Sequence, residues 1–211
     1  MKIGIAGGIG SGKSYVCKHL TARGFEVYDC DTAAKRLMKT SPDIRQQLTE
    51  LIGPDTYIKK GGEEGTDAAW QLNKAAVAQF LLKSEANAHA IDAIVHPAVF
   101  RDFEQSGLQW MESAIMFESG ISRLVDRVIV VTAPEEVRLQ RVMQRDGISR
   151  AKAQEWLSRQ WPQSKVRQLA DFEIVNDGTA DIDEQIDLIL QRLQLPSPQR
   201  ASKTENELSN N

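Results

Sequence analysis

A glycine-rich loop between two apolar segments near the N-terminus constrains the fold more than any other feature of this chain. Residues 7–14, Gly-Gly-Ile-Gly-Ser-Gly-Lys-Ser, fit the pattern G-x-x-x-x-G-K-[ST]. The run 2–6 predicts a buried parallel strand before the loop, and the spacing over Lys13–Thr21 predicts a helix after it. Glycines let backbone N–H groups turn towards phosphate oxygens at the start of such a helix. The segment therefore predicts a phosphate-binding loop (P-loop) for a nucleoside triphosphate.

Two polar side chains at the end of this loop carry its chemistry. The Lys13 ammonium is expected to reach the terminal phosphates as a point charge, and the Ser14 hydroxyl is expected to bind Mg²⁺. The alternative, a glycine turn that binds nothing, is a poor match to the complete eight-residue pattern.

The composition is that of one ordinary globular domain. Of 211 residues, 41% are hydrophobic and 26% are charged, which is enough for a full α/β core. No apolar run has the length of a membrane span, and the chain opens into a strand rather than a signal peptide. Cys17 and Cys30 are too few for a disulfide framework or a zinc site. We therefore expect a cytoplasmic protein without membrane association.

Charge is distributed unevenly along the chain. The formal net charge is −3, yet residues 138–167 contain eight basic and two acidic residues. The acidic balance elsewhere argues against a nucleic-acid partner, whereas the basic segment suits a local anion clamp.

A second strand, predicted at Phe25–Tyr28, ends in the carboxylates Asp29 and Asp31. Open parallel α/β sheets place their ligands at the carboxyl ends of strands, and residues two apart share a face of extended chain. The functional interpretation is a carboxylate beside a substrate hydroxyl, as general base or metal partner. Asp31 also precedes a helical stretch, so a purely structural N-cap remains an alternative.

Residues 36–105 predict helices instead of alternating strands and helices. Ser41-Pro42 begins a helix that ends near Ile52, a polar glycine-rich stretch allows a hairpin, and Asn73 caps the next helix. We interpret this insertion as a substrate-binding subdomain. His96-Pro97 lies in its last helix, where proline predicts a kink and composition alone favours a structural histidine.

The third strand is predicted at Trp110–Phe117 and ends in Glu118. From that position a carboxylate can hold Mg²⁺ through water, although a solvated loop glutamate fits equally well. The fourth strand is predicted at Arg127–Thr132.

A basic helical pair follows the fourth strand. The first helix starts after Pro134 and carries Arg138, Arg141 and Arg145 on one face; the second is capped by Ser149. Such charges usually form a solvated face, but in a phosphate-transfer enzyme they also suit a mobile lid that stabilises the phosphoryl transition state.

A fifth strand at Asp171–Val175, the turn Asn176–Gly178 and a helix at Ile182–Leu193 complete the pattern. The prediction is an α/β fold, a three-layer P-loop sandwich with a five-stranded parallel sheet, a helical substrate subdomain and a helical lid. One domain is expected over 1–193, with its core in 1–35, 106–137 and 168–193, the insertion at 36–105, the lid at 138–167 and a disordered tail at 194–211.

Motifs beyond the P-loop resemble the dephospho-CoA kinase family in order and spacing, over about residues 2–193. They are Asp29-Cys30-Asp31 with Ala34 and Arg36, His96-Pro97, Ile115–Glu118, Arg141 with Arg145-Asp146, Gln160, and Ala170-Asp171 leading to Asn176 and Gly178. The resemblance implies a cytoplasmic enzyme that completes coenzyme A synthesis, moving the ATP γ-phosphate to the ribose 3′-hydroxyl of dephospho-CoA. ATP and Mg²⁺ are the expected cofactors, with two small-molecule substrates and a monomer or small homo-oligomer.

The resemblance also implies individual roles. Asp31 would act as general base, with Lys13 and Arg141 as further catalytic residues. ATP would be bound by Gly8, Gly10, Ser11, Gly12, Lys13, Ser14, Tyr15, Arg145 and Asn176. Dephospho-CoA would be bound by Asp29, Asp31, Lys74 and His96, and Mg²⁺ by Ser14 and Glu118.

Some positions depart from the family pattern. Tyr15 stands in place of the usual threonine, and a phenol cannot offer the same short hydroxyl to the α-phosphate. Lys74 replaces an arginine, which weakens bidentate anion recognition, and Ala114 replaces a proline.

Two rival functions fit less of the sequence. The nearest is a kinase of another small molecule or of a nucleoside monophosphate, but a phosphate-bearing acceptor calls for more arginines than Arg45, the only one in residues 41–100. A GTPase switch needs the motif Asn-Lys-x-Asp, and Asn73-Lys74-Ala75-Ala76 lacks the aspartate that reads guanine.

Overall fold

The computed structural model describes residues 1–59 and 70–195. The strands are β1 (Ile3–Ala6), β2 (Val27–Asp29), β3 (Tyr57–Lys59), β4 (Trp70–Leu72), β5 (Trp110–Ser113), β6 (Arg127–Thr132) and β7 (Phe172–Val175). The helices are α1 (Lys13–Ala22), α2 (Cys30–Thr40), α3 (Pro42–Ile52), α4 (Lys74–Lys83), α5 (Glu85–Ser106), α6 (Glu135–Asp146), α7 (Arg150–Ser158), α8 (Gln163–Leu169) and α9 (Ile182–Arg192). In these two ranges, no helix combines the length and apolarity that a membrane crossing requires.

The central sheet has five parallel strands in the order β2-β5-β1-β6-β7. β1 lies in the middle, so the loop that follows it opens at the carboxyl edge between β5 and β6. The register places Ile5 beside Glu112 on one side and Ile129 on the other. The predicted α/β fold with a five-stranded parallel sheet is confirmed.

Helices cover both faces of this sheet. Successive residues of β6 alternate between two buried clusters, as side chains of a strand must: Ile129 and Val131 join the cluster of α1 and α9, and Val128 and Val130 join that of α2 and α5. The three layers follow from this alternation, because each face of a fully parallel sheet needs its own apolar cover.

The insertion between β2 and β5 is mostly helical, as predicted. Ser41 caps α3 by accepting a hydrogen bond from Ile44 N, and Asn73 caps α4. β3 and β4 pair antiparallel, which confirms a hairpin, although the residues that connect the two strands lie outside the described ranges. A small apolar core around Ile44, Leu48 and Tyr57 joins the hairpin to α3 and α5.

The predicted third strand is too long. β5 ends at Ser113, and residues 114–119 form turns. The Ser113 hydroxyl accepts a hydrogen bond from Ile115 N at 3.3 Å, which favours a turn over continued extension. Met116 in this turn is buried, so the apolar run that suggested a strand packs into the core from a turn.

Element boundaries differ at three other places. α2 begins at Cys30 and its N-cap is Asp29, so the capping role considered for Asp31 belongs to Asp29. α5 continues through Pro97 to Ser106, and α8 follows Pro162 as a helix that the sequence analysis did not predict. The predicted tail falls outside the described residues from position 196 onwards.

Candidate active site at the P-loop

The loop between β1 and α1 has the geometry of a phosphate cradle. Gly10 and Gly12 adopt positive φ angles of 77° and 88°. A Cβ on Gly10 would lie 2.6 Å from the Arg138 carbonyl oxygen, and one on Gly12 would overlap the Asn176 amide. Among the residues that the structure describes, no side chain caps the start of α1 at Gly12. Glycine is thus required where α6 and Asn176 approach, and the uncapped helix start faces outward for an anion.

Lys13 is held by a carboxylate of the neighbouring strand. Its Nζ lies 2.7 Å from Oε2 of Glu112, and both side chains are nearly buried, with 13% and 11% of their surfaces exposed. Cys17 Sγ donates to the same oxygen at 3.4 Å. Burial and the nearby Glu112 charge raise the pKa of Cys17, so this thiol stays protonated as a donor.

Glu112 was missed by the sequence analysis. It is a charged residue in a strand whose other residues are also buried, and the register sets it beside Ile5, next to the P-loop strand. A carboxylate inside an apolar strand could have indicated a functional Glu112. Because the strand was predicted to extend to Phe117, Glu118 was taken as the carboxylate at its end.

A cleft of about 430 Å³ brings most of the predicted catalytic residues together. The three predicted catalytic residues all line it, and so does the predicted Mg²⁺ ligand Ser14. The predicted residues in its lining are Gly8, Gly10, Gly12, Lys13, Ser14, Asp31, Arg141 and Arg145. One carboxylate, one ammonium and two guanidinium groups therefore share the space above the loop.

The two aspartates after β2 have different environments. Asp29 accepts hydrogen bonds from Thr32 N at 3.0 Å and from Thr32 Oγ1 at 2.6 Å. Burial raises the pKa of Asp29, but these hydrogen bonds outweigh it and hold the pKa below its ordinary value. Asp31 is exposed in the first turn of α2 and lines the cleft. Asp31 is thus available to a substrate, whereas Asp29 fixes the helix that carries it.

Arg141 and Asn176 support the loop from outside. Arg141 Nη1 donates to the carbonyl oxygens of Gly10 and Ser11, each at 3.3 Å, and its Nη2 donates to Asn176 Oδ1 at 3.2 Å. Asn176 Nδ2 donates to Ser11 O at 3.0 Å. Arg145 lies one turn further along α6 and pairs with Asp146.

Ile9, at the tip of the loop, is held through both of its backbone groups. Its N–H donates to Gln160 Oε1 at 2.8 Å, and its carbonyl accepts from Arg138 Nε at 2.9 Å. Gln160 Nε2 also donates to Ala114 O at 3.3 Å. Arg138 is buried, so it braces the loop and does not belong to an exposed basic face of the predicted lid.

A second pocket of about 600 Å³ adjoins the loop on the side of α9. Tyr15, His19, Asn176 and Gly178 line it. The Tyr15 ring is half exposed and lies 4.5 Å from the His19 ring in an edge-on arrangement. An aromatic wall of this kind next to a phosphate cradle suits a nucleobase.

His96, Lys74 and Glu118 are among the predicted site residues that do not line the P-loop cleft. His96 Nε2 lies 3.5 Å from Asp92 Oδ1, and its ring stacks on Phe100. Lys74 is exposed at the first position of α4. Glu118 lies in the turn after β5, where its Oε1 accepts a hydrogen bond from Trp161 N at 3.1 Å. The structure thus removes the strand end on which the Mg²⁺ role of Glu118 was argued.

A P-loop at the middle strand of a parallel sheet, with a carboxylate and arginines around one cleft, defines a P-loop kinase. A model of the family described as dephospho-CoA kinase matches residues 1–181. The chain belongs to the dephospho-CoA kinase family.

Individual relatives agree with this assignment. A dephospho-CoA kinase of Porphyromonas gingivalis is 42% identical over 181 residues, covering 82% of this chain and 85% of the relative. One of Bacteroides fragilis is 36% identical over 193 residues, covering 88% of this chain and 89% of the relative. Among solved structures, a protein of Thermus thermophilus has a TM-score of 0.75 at 29% identity and covers 92% of this chain and 97% of its own. The dephospho-CoA kinase of Campylobacter jejuni shares the fold, with a TM-score of 0.61 at 20% identity. The match covers 92% of this chain and 98% of that protein.

Proposed function

We propose that this chain carries out the activity of its family, transferring the γ-phosphoryl group of ATP to the ribose 3′-hydroxyl of dephospho-CoA to give coenzyme A and ADP. The observation that carries the proposal is the cleft in which Asp31 lies with Lys13, Ser14 and Arg141. Phosphoryl transfer depends on positioning and charge stabilisation, and this cleft offers a base on one side of a phosphate cradle.

The ATP phosphates bind to the loop from Gly8 to Tyr15. Gly10, Ser11 and Gly12 provide backbone, and Lys13 exchanges part of its contact with Glu112 for phosphate oxygens. Arg141 and Arg145 line the same cleft and neutralise charge on the transferring group. The adenine base occupies the pocket beside Tyr15 and Asn176.

Mg²⁺ fits the donor set at the loop, because the metal prefers oxygen ligands and keeps several waters. Ser14 would hold it through an exposed hydroxyl in the cleft. Glu112 is paired with Lys13, and Glu118 accepts a hydrogen bond from Trp161 N, whereas the Asp31 carboxylate lines the same cleft as Ser14. When bound, the metal supplies charge neutralisation between the phosphates.

Asp31 orients and deprotonates the acceptor hydroxyl. Its carboxylate is exposed in the cleft, and α2 is fixed by the Asp29 cap. Asp29 therefore acts on substrate binding through the position of α2. The insertion that carries Lys74 and His96 binds the remainder of dephospho-CoA, and residues 138–167 form the lid. We also propose a cytoplasmic enzyme, monomeric or a small homo-oligomer, that acts on small molecules and not on nucleic acid.

An ADP-release assay tests the proposal, with dephospho-CoA beside AMP, UMP and water as acceptors. ADP release is expected with dephospho-CoA and not with AMP, UMP or water. Mass spectrometry of the product checks 3′-phosphorylation. Equal release with all acceptors would overturn the substrate assignment. Preference for AMP or UMP would favour a nucleoside monophosphate kinase.

A further inference from the structure

A cleft of about 660 Å³ lies between α6, α7 and α8, and none of its lining residues is shared with the cleft around Lys13 and Asp31. Its walls are polar and apolar in about equal parts, and the polar side chains include Glu135, Arg138, Gln154, Ser158, Gln160 and Gln163. Arg138 is the only cation among the lining residues.

In the part of the chain that the structure describes, the buried cation Arg138 has no acidic partner. It is only 7% exposed. Its Nε donates to Ile9 O, but within residues 1–59 and 70–195 neither Nη1 nor Nη2 has a hydrogen-bond partner. Burial lowers the pKa of Arg138, and the charge of Glu135 opposes this without forming an ion pair. Arg138 lines the cleft, and its charge has no ion pair among the described residues, which favours an anionic ligand.

Other arginines nearby are satisfied. Arg150 makes two hydrogen bonds of 2.7 Å to Glu136, and Arg159 pairs with Glu155. The lid thus neutralises its exposed arginines internally and leaves the buried one open to the cleft. Surface pairs of that kind contribute little, whereas an unpaired buried guanidinium has a strong preference for a charged ligand.

We propose that this cleft is an oxyanion site, in which Arg138 binds a phosphate or diphosphate group through Nη1 and Nη2. A planar guanidinium matches such a group bidentately. The amides of Gln154 and Gln163 and the hydroxyl of Ser158 line the same cleft and supply further polar contacts. The cleft is larger than a phosphate ion, so it also admits a phosphate carried by a larger molecule.

The site touches the P-loop through Arg138 itself. Its Nε holds Ile9 at the loop tip, and a Cβ on Gly8 would lie 2.8 Å from Nη2. An anion on Arg138 therefore fixes the side chain that braces the loop. Two sources share this chemistry: the diphosphate of dephospho-CoA, and free inorganic phosphate.

The test is calorimetric titration of inorganic phosphate into the full chain saturated with Mg²⁺ and a non-hydrolysable ATP analogue, which fills the P-loop. Arg138→Gln should weaken phosphate binding about tenfold or more, because it removes the bidentate charged donor. Arg138→Lys should give an intermediate loss. Glu135→Gln should tighten binding about threefold, because it removes a like charge from the wall.

Arg159→Gln is the control, since it changes an exposed lid arginine that is paired with Glu155; phosphate affinity should stay within about twofold. If Arg138→Gln does not fold, Glu135→Gln and Arg138→Lys still decide the question. The proposal is overturned if the loaded wild type binds no phosphate, or if the affinity does not respond to Arg138 and Glu135.

Dephospho-CoA separates the two sources. If it displaces phosphate, and Glu135→Gln lowers its KM with little change in the KM for ATP, the diphosphate of the acceptor is the ligand. If dephospho-CoA does not change the affinity for phosphate, the ligand is free phosphate. Both results support the oxyanion site, which does not depend on the catalytic roles proposed above.

Discussion

Lys13 Nζ lies 2.7 Å from Glu112 Oε2, in a pair of which nearly nine-tenths is buried. The cation that is proposed to bind ATP phosphates is therefore neutralised by the neighbouring strand before nucleotide binds. Since the Glu112 carboxylate also accepts from Cys17, it is fixed from two sides. Incoming phosphates meet a lysine that is already positioned and partly desolvated.

Glu112→Gln should lower the free energy of unfolding by about 2–3 kcal/mol, because it leaves a buried ammonium beside a neutral amide. With saturating MgADP the loss should shrink, since the phosphates give Lys13 a new partner. Urea unfolding with and without MgADP measures both. Glu118→Gln is the control, with a loss of about 1 kcal/mol. An equal loss in both nucleotide states at position 112 would contradict the exchange of partners.

Lys13→Ala should reduce kcat by about 10²–10³-fold or more, because the transition-state charge loses its positioned cation. Lys18→Ala is the matched control, since Lys18 is exposed on the same helix and lines neither pocket beside the loop. Steady-state kinetics with ATP and dephospho-CoA make the comparison. Normal turnover in the Lys13→Ala variant would remove the P-loop from the mechanism.

Asp31→Asn should lower kcat by about 10²–10⁴-fold with little change in the KM for ATP, as expected for a general base. Asp29→Asn should have a far smaller effect, because asparagine also caps a helix and can still accept from Thr32. Comparing the two variants distinguishes the loss of a general base at Asp31 from a displacement of α2 caused by the change at Asp29. Comparable kcat losses in the two variants would argue against a base at position 31.

The stability contributed by Asp29 should depend on pH. Its folded pKa lies below the unfolded value of about 3.9, because Thr32 hydrogen-bonds the carboxylate. The contribution is therefore complete above the unfolded pKa and is lost as the pH falls through the lower folded pKa. Thermal unfolding of wild type and Asp29→Ala from neutral pH to about pH 2.5 should show curves that converge at the acid end. A Tm difference that stays constant would exclude this carboxylate as the source.

Local spacing was sufficient to predict the P-loop, its strand and its helix, because glycines, lysine and serine act within eight neighbouring residues. The five parallel strands followed for a similar reason, since each is a short apolar run. Asp31 was placed correctly at the edge of the sheet, but the alternative considered for it, an N-cap, belongs to Asp29, two residues earlier. Both aspartates are competent caps, and only the backbone decides between them.

The incorrect predictions concern residues whose environment is set by contacts with segments distant in sequence. An apolar run after Ser113 has the composition of a strand, and only its packing as a turn reveals that the strand ends at Ser113, directly after Glu112 and well before Glu118. Arg138 is indistinguishable in sequence from Arg145, yet one is buried against Ile9 and the other is exposed beside Asp146. Burial of a helical charge depends on which element packs against it, and the sequence of that helix does not contain this information.

Tyr15 should act as a platform for the adenine base. Its ring forms a wall of the pocket that also contains Asn176 and Gly178, and stacking of a base on an aromatic side chain is worth about 1–3 kcal/mol. Tyr15→Leu should therefore raise the KM for ATP about tenfold and leave the KM for dephospho-CoA unchanged, whereas Tyr15→Phe should behave as wild type. Tyr15→Thr, the residue usual in the family, exchanges the stack for a short hydroxyl near the phosphates. If the leucine variant binds ATP normally, the ring is only a surface neighbour of His19, and the base is held by the Asn176 turn alone.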